Sequence, residues 1–93
     1  MPASVTKLDY YDFEAKLESR ADDVPKLKAA VGGLTGTWGS LRADVPDKRA
    51  AAQYESHVKA MARLTDNADP SATQREAQHG LDLVDKLEES FAG

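Results

Sequence analysis

The chain has 93 residues and no cysteine, and its 16 acidic and 12 basic side chains give a formal net charge of −4 at pH 7. With 41% hydrophobic and 30% charged residues it has the composition of a folded protein, and its length predicts a single domain over residues 1–93. The missing cysteines exclude disulfides, thiolate metal sites and thiol nucleophiles, and the acidic charge argues against nucleic acid as a partner because phosphate backbones attract basic surfaces.

Three prolines, Pro25, Pro46 and Pro70, divide the chain at nearly regular intervals, and each has aspartates close by. Aspartate caps free backbone amides at a helix start, and proline is tolerated in the first helical turn. The apolar spacing between these marks is helical, with no sustained period of two. The sequence therefore predicts an all-α fold, a small antiparallel bundle of four helices over approximately residues 8–22, 24–44, 46–65 and 70–91.

The first segment leaves two architectures open. Its predicted core-facing residues are Tyr10, Phe13, Leu17 and Ala21 or Val24. This stripe stays in phase through Pro25, so one proline-kinked helix from about Asp9 to Asp44 would give three helices and an overhanging apolar end that needs a second chain. We favour four helices, because connections of two to five residues keep sequential helices side by side.

The second segment combines an apolar stripe with four glycines. Its predicted core residues are Leu27, Val31, Leu34, Trp38, Leu41 and Val45. Gly32, Gly36 and Gly39 lie on the side away from Leu34 and Trp38, and each costs about 1 kcal/mol relative to alanine inside a helix. The simplest interpretation is a weakness that the fold tolerates. The sharper hypothesis is a bare face that lets another helix, a partner or a second subunit approach closely.

The third and fourth segments carry the two histidines. Their predicted core residues are Ala50 or Ala51, Tyr54, Val58, Met61 and Leu64 or Thr65, followed by Ala77, Leu81, Val84, Leu87 or Glu88, and Phe91. His57 lies at the edge of the third stripe, one turn before Met61, and the two could bind copper or haem iron. We favour a structural histidine that hydrogen-bonds a carboxylate or carbonyl. Glu76 and His79 have the Glu-x-x-His spacing of di-iron bundles, but no second such element exists, and His79 is predicted to face water.

Nothing in the chain indicates an active site. The paired carboxylates fall at helix ends or on outward faces, where their surroundings would not adapt them for general acid or base catalysis. The sequence contains no phosphate-binding glycine loop, no Gly-x-Ser-x-Gly and no His-Glu-x-x-His. We therefore expect no enzymatic activity, no catalytic residue and no cofactor.

The remaining expectation is a non-catalytic interaction or accessory module. Its partner would be a protein, either a second copy in a homodimer or a different chain. The candidate contact residues are Gly32, Gly36, Gly39, Tyr10 and Tyr11. The alternative is a small metal- or haem-binding bundle that uses His57 and Met61.

The sequence also lacks the marks of a membrane protein. No apolar run approaches the roughly 20 residues that span a bilayer, and residues 1–7 lack the apolar stretch of a signal peptide. We expect a soluble protein without a transmembrane segment. The compartment stays open between the cytoplasm and export by a signal outside these residues.

Overall fold

The computed structural model describes residues 2–93, which form a bundle of four α-helices with extents of 38 × 20 × 18 Å. The helices are α1 (Ala3–Arg20), α2 (Val24–Leu41), α3 (Lys48–Asp66) and α4 (Pro70–Ala92), and a short 3-10 turn (Arg42–Asp44) follows α2. Each helix packs against the next one in sequence, and α4 packs back against α1 to close the bundle. None of the helices in residues 2–93 is long and apolar enough to cross a bilayer.

The chain breaks between α1 and α2, so the prediction of four helices is confirmed and the continuous kinked helix is wrong. Asp22 has a φ of 57°, a left-handed conformation that ends an α-helix. The side chain of Asp23 then accepts a hydrogen bond from the amide of Lys26 and starts α2. The turn between α3 and α4 has the same construction, with Ala68 at a φ of 52° and Asp69 accepting from the amide of Ala72.

Several predicted helix bounds differ from the structure. The first helix begins at Ala3, not near residue 8, because Val5 and Leu8 already pack into the core as part of this helix. The second α-helix ends at Leu41, not at residue 44, because the chain tightens into the 3-10 turn Arg42–Asp44. The third begins at Lys48, because Asp47 is the residue that caps the amides of its first turn, so Pro46 lies in the connection.

The predicted core face of α1 is wrong. Tyr10, Phe13 and Leu17 are 56%, 47% and 37% exposed. The residues that α1 buries instead are Val5, Leu8, Asp12, Ala15 and Ser19. Apolar residues occur on both sides of this helix, so their spacing alone does not identify the inner side. The deciding residue is Asp12, which has its hydrogen-bond partners inside the bundle.

The other three stripes agree more closely with the structure. All six predicted core residues of the second segment are buried, as are Tyr54, Val58 and Met61 of α3. In α4 the predicted residues Leu81 and Phe91 are only half-buried, because Gly80 and Leu83 occupy the innermost positions beside Ala77, Val84 and Leu87. The core therefore contains mostly medium-sized aliphatic side chains around Trp38 and Tyr54.

We expect Asp69→Ala to lower the free energy of unfolding by about 1 kcal/mol, since the first turn of α4 loses its side-chain cap. Asp85→Ala is the matched control, because Asp85 is an exposed aspartate inside α4, away from the helix start. Urea denaturation followed by circular dichroism measures both variants. Equal stability of the two variants would contradict the assigned cap.

Candidate functional site

A cluster of polar side chains lies in the middle of the bundle. This polar cluster consists of Asp12, Tyr54, His57 and Glu76. Asp12 Oδ1 is 2.7 Å from His57 Nε2, and Asp12 Oδ2 accepts a 2.5 Å hydrogen bond from the hydroxyl of Tyr54. Glu76 Oε2 is 2.7 Å from His57 Nδ1. The side chains of Asp12 and His57 are fully buried, while that of Glu76 is 22% exposed.

The geometry fits a doubly protonated imidazole at His57. Each ring nitrogen faces a carboxylate oxygen, and an ionised carboxylate only accepts hydrogen bonds, so both nitrogens must donate. Burial by itself would lower the pKa of His57, but the hydrogen bonds and charges of Asp12 and Glu76 outweigh burial and raise it. The cluster is thus a buried ion pair that reaches the surface only at Glu76.

Tyr54 stays protonated in this environment. Burial, with the neighbouring charge of Asp12, raises the pKa of Tyr54 far above its usual value, so its hydroxyl is a permanent donor. Asp12 therefore has a hydrogen-bond donor at each of its two oxygens. The only buried side-chain polar atom without a partner in residues 2–93 is Oγ1 of Thr65, outside the cluster.

The cluster connects α1, α3 and α4 directly and contacts α2 through Trp38. Asp12 lies on α1, Tyr54 and His57 on α3 and Glu76 on α4. The ring of Trp38, on α2, packs against Tyr54 with centroids 4.9 Å apart, and its Nε1 donates a 2.7 Å hydrogen bond to Glu55. That hydrogen bond lowers the pKa of Glu55.

Gly80 leaves the room that the cluster needs. A β-carbon at this position of α4 would collide with Nε2 of His57 and lie 2.7 Å from Cγ of Asp12. Gly33 has a similar role on the surface of the core, because a β-carbon there would collide with the ring of Tyr11. A glycine inside a helix is costly, and at these two positions close packing explains it.

The structure separates the predicted contact residues. Gly32, Gly36 and Gly39 are exposed on the outer side of α2, and a β-carbon at any of them would meet nothing within 4 Å. The close approach that the glycines suggested occurs at Gly33 and involves α1 of the same chain. Tyr10 is exposed and Tyr11 is half-buried against α2.

His57 and Met61 offer no free donor atom to a metal or haem. Both ring nitrogens of His57 are hydrogen-bonded to carboxylates, and Met61 is fully buried. A metal could reach either nitrogen only by displacing Asp12 or Glu76. Within residues 2–93 no group of three histidine and carboxylate side chains is arranged to hold a metal ion. His79 is exposed, with its ring centroid 6.3 Å from that of His57.

Sequence reasoning missed Asp12. Its one signal is position, because Asp12 is one turn from Leu8 and near Ala15 on the same side of α1. The side chain of an aspartate between apolar residues on a helix face either points to solvent or pairs with a buried partner. The partner, His57, is 45 residues away in sequence, so no local pattern connects the two.

A second feature is an apolar surface beside the cluster. Of the described residues, the large apolar side chains that are exposed all lie on the outer side of α1 or at the start of α2. This apolar patch consists of Tyr10, Phe13, Leu17 and Val24. Tyr10 and Tyr11 also border an open groove between α1 and α2 whose other wall contains Lys26 and Ala29.

A small cavity lies at the end of the bundle where the two similar turns meet. It has a volume of about 40 Å³ and is lined by Ser19, Leu27, Thr65 and Thr73, among others. Pockets that bind organic ligands are about 300–1,000 Å³. This cavity therefore suits a few water molecules, for which Thr65 supplies a buried polar group.

We expect Gly80→Ala to destabilise the protein by about 1–3 kcal/mol, because the new methyl group overpacks the polar cluster. Gly36→Ala is the control, a helix-interior glycine with open space around it, and should raise stability by up to about 1 kcal/mol. Urea denaturation of the two variants beside the parent chain gives both values. A stabilised Gly80→Ala variant would show that the cluster is not held as described.

The raised pKa of His57 predicts that stability falls as pH rises. The contribution of the charged imidazole is complete below the unfolded pKa of about 6.5 and is lost as pH passes the higher folded pKa, at about 1.4 kcal/mol per unit of difference. The groups facing it are Asp12 from α1, Tyr54 from its own helix and Glu76 and His79 from α4; α2 brings no titratable group to it.

Urea titrations between pH 6 and pH 9 test this prediction. His79→Gln should retain the decline of the parent chain, and His57→Gln should lose it. If His57→Gln does not fold, nitrogen NMR of the imidazole in the parent chain replaces it and should show both ring nitrogens of His57 protonated at neutral pH. A neutral ring at pH 7 would contradict the assignment.

Comparison of the chain with protein-family models, with curated proteins and with solved structures gave no match. The case for a function therefore rests on the polar cluster and the apolar patch.

Proposed function

We propose that this protein is a non-catalytic interaction module that binds another polypeptide through the apolar patch on α1. The observation that carries the proposal is the exposure of Tyr10, Phe13 and Leu17 along the outer side of α1. Single exposed apolar residues are common on folded proteins, but a contiguous group marks a contact surface.

The spacing of the patch suits a helical contact. Tyr10, Phe13 and Leu17 follow one another at intervals of three and four residues, so they form one row along α1. Rows of this kind are the anchors by which amphipathic helices bind apolar grooves or other helices. A partner that covers the row would remove three large side chains from water.

Stability of the bundle does not explain the row. The inner side of α1 already contributes Val5, Leu8 and Ala15, each fully buried, to the core. The partly exposed aromatic and leucine side chains on the outer side are not members of this core. Binding a partner would give these residues a role that they lack in the isolated bundle.

Other observations favour binding over catalysis. Three titratable side chains lie in an unusual environment: Asp12, Tyr54 and His57. All three are buried and form hydrogen bonds with one another. General acid–base catalysis needs such a group within hydrogen-bond reach of a substrate. The cavity of about 40 Å³ is too small for an organic substrate. The larger hollows, of about 220–400 Å³, are open grooves on the surface.

We expect Phe13→Glu to abolish binding while the fold survives. The exposed side chain makes little contribution to folding, so the free energy of unfolding should change by less than about 0.5 kcal/mol. Ala52→Glu, at an exposed position on α3, is the matched control. In protein purified gently from its own source, light scattering after gel filtration should show an assembly heavier than 10.1 kDa for the parent and the control only.

A photo-crosslinking amino acid at position 13, compared with one at position 52, gives a second measurement in the source cells. Crosslinking to a defined polypeptide is expected at position 13 only. The proposal is wrong if the natural protein is a monomer and position 13 gives no more crosslinking than position 52.

A further inference from the structure

We infer that the polypeptide bound at the apolar patch is a second copy of this chain, packed with its α1 antiparallel to the first across a two-fold axis. The inference rests on the proposed function, because it specifies the occupant of the same surface. Its basis is the placement of charge around the patch.

Two opposite charges flank the apolar row. Asp9 precedes Phe13 by one turn, and Arg20 follows Leu17 by nearly one turn. Both charged residues are exposed, and within residues 2–93 neither forms an ion pair. At about 1.5 Å and 100° per residue, Asp9 and Arg20 are separated by about 16 Å along α1 and by only about 20° around it.

This arrangement is self-complementary under an antiparallel two-fold axis. The midpoint between Asp9 and Arg20 coincides, within about 1 Å along the helix, with the midpoint between Phe13 and Leu17. A two-fold axis through that point places Asp9 opposite Arg20 of the second copy, and Phe13 opposite Leu17 of the second copy. Because Asp9 and Arg20 lie on the same side of the row, the rotation brings both ion pairs into register.

A parallel arrangement is unfavourable for the same reason. With the two helices running in one direction, the two-fold axis would place Asp9 of the two copies at the same height on opposite sides of the row, and Arg20 likewise, so neither ion pair could form. The charges therefore select the antiparallel orientation.

The neighbouring charges leave Arg20 as the available cation. Lys16, the other basic residue on the α4 side of α1, donates a 2.7 Å hydrogen bond to Gln78 of α4. Glu14 is half-buried at the groove with Lys26, on the α2 side of the row. The edge of the row on the α4 side thus presents one free acid and one free base, at equal distances from its centre.

Sedimentation equilibrium of the purified parent chain, across concentrations from about 1 to 500 µM at low salt, tests the inference. We expect a reversible dimer. Asp9→Arg and Arg20→Asp should each weaken dimerisation by about tenfold, because two attractive pairs become repulsive. The double variant Asp9→Arg/Arg20→Asp should restore the parent affinity, since each pair is re-formed with its charges exchanged.

Asp85→Arg is the net-charge control for Asp9→Arg, because it changes the charge by the same amount at an exposed site on α4. Its dimerisation should equal that of the parent. A dimer that is lost in Phe13→Glu but does not respond to the charge reversals would overturn the antiparallel arrangement. A monomer at all concentrations overturns the second copy as partner. In that case, crosslinking from position 13 to a different protein in the source cells would leave the proposed function standing.

Discussion

The placement of a charged histidine inside a small bundle constrains the rest of this structure. The side chain of His57 has no contact with water, and a charge there is tolerated only because Asp12 and Glu76 each accept a hydrogen bond from the ring. Removing a single partner would leave a buried charge without compensation, which in proteins typically costs about 3–5 kcal/mol. Replacing the whole cluster by apolar residues of similar volume would often be neutral or stabilising, so its presence does not by itself mean high stability. Its clearest consequence is specificity, because the hydrogen bonds exist only when α1, α3 and α4 are in register.

Several features that are unfavourable when considered alone follow from this cluster. Gly80 weakens α4 as a helix, but a side chain there would occupy the space of the imidazole. Asp12 places a carboxylate on the core-facing side of α1, and the hydroxyl of Tyr54 donates a hydrogen bond to its second oxygen. The aromatic contact from Tyr54 to Trp38 then connects α2 to the same centre. The cluster therefore bonds three helices together and touches the fourth.

The same cluster explains how an apolar surface comes to be exposed. The first helix has apolar residues on both sides, and only one side can face the core. Because Asp12 must reach His57, the side with Val5, Leu8 and Ala15 turns inward and Tyr10, Phe13 and Leu17 remain outside. Charged residues at both ends of this exposed row favour a specific contact over non-specific association. The internal electrostatics and the proposed contact surface are thus two consequences of the orientation of one helix.

The amino-acid sequence indicated the all-α class and the number of helices, because apolar spacing, aspartate caps and prolines are local signals. It also identified the buried faces of α2 and α3, where one side of the helix is clearly more apolar than the other. It could not orient α1, whose two sides are similarly apolar, and it could not find the partners of His57, which are 45 and 19 residues away. The exposed glycines of α2 looked like a contact surface in the sequence, but close approach depends on which helix lies opposite. In the structure, only Gly33 and Gly80 lie against the side chain of a neighbouring helix. Tertiary structure decided these points because a buried charge requires partners at a few ångströms, and the packing of distant helices brings them there.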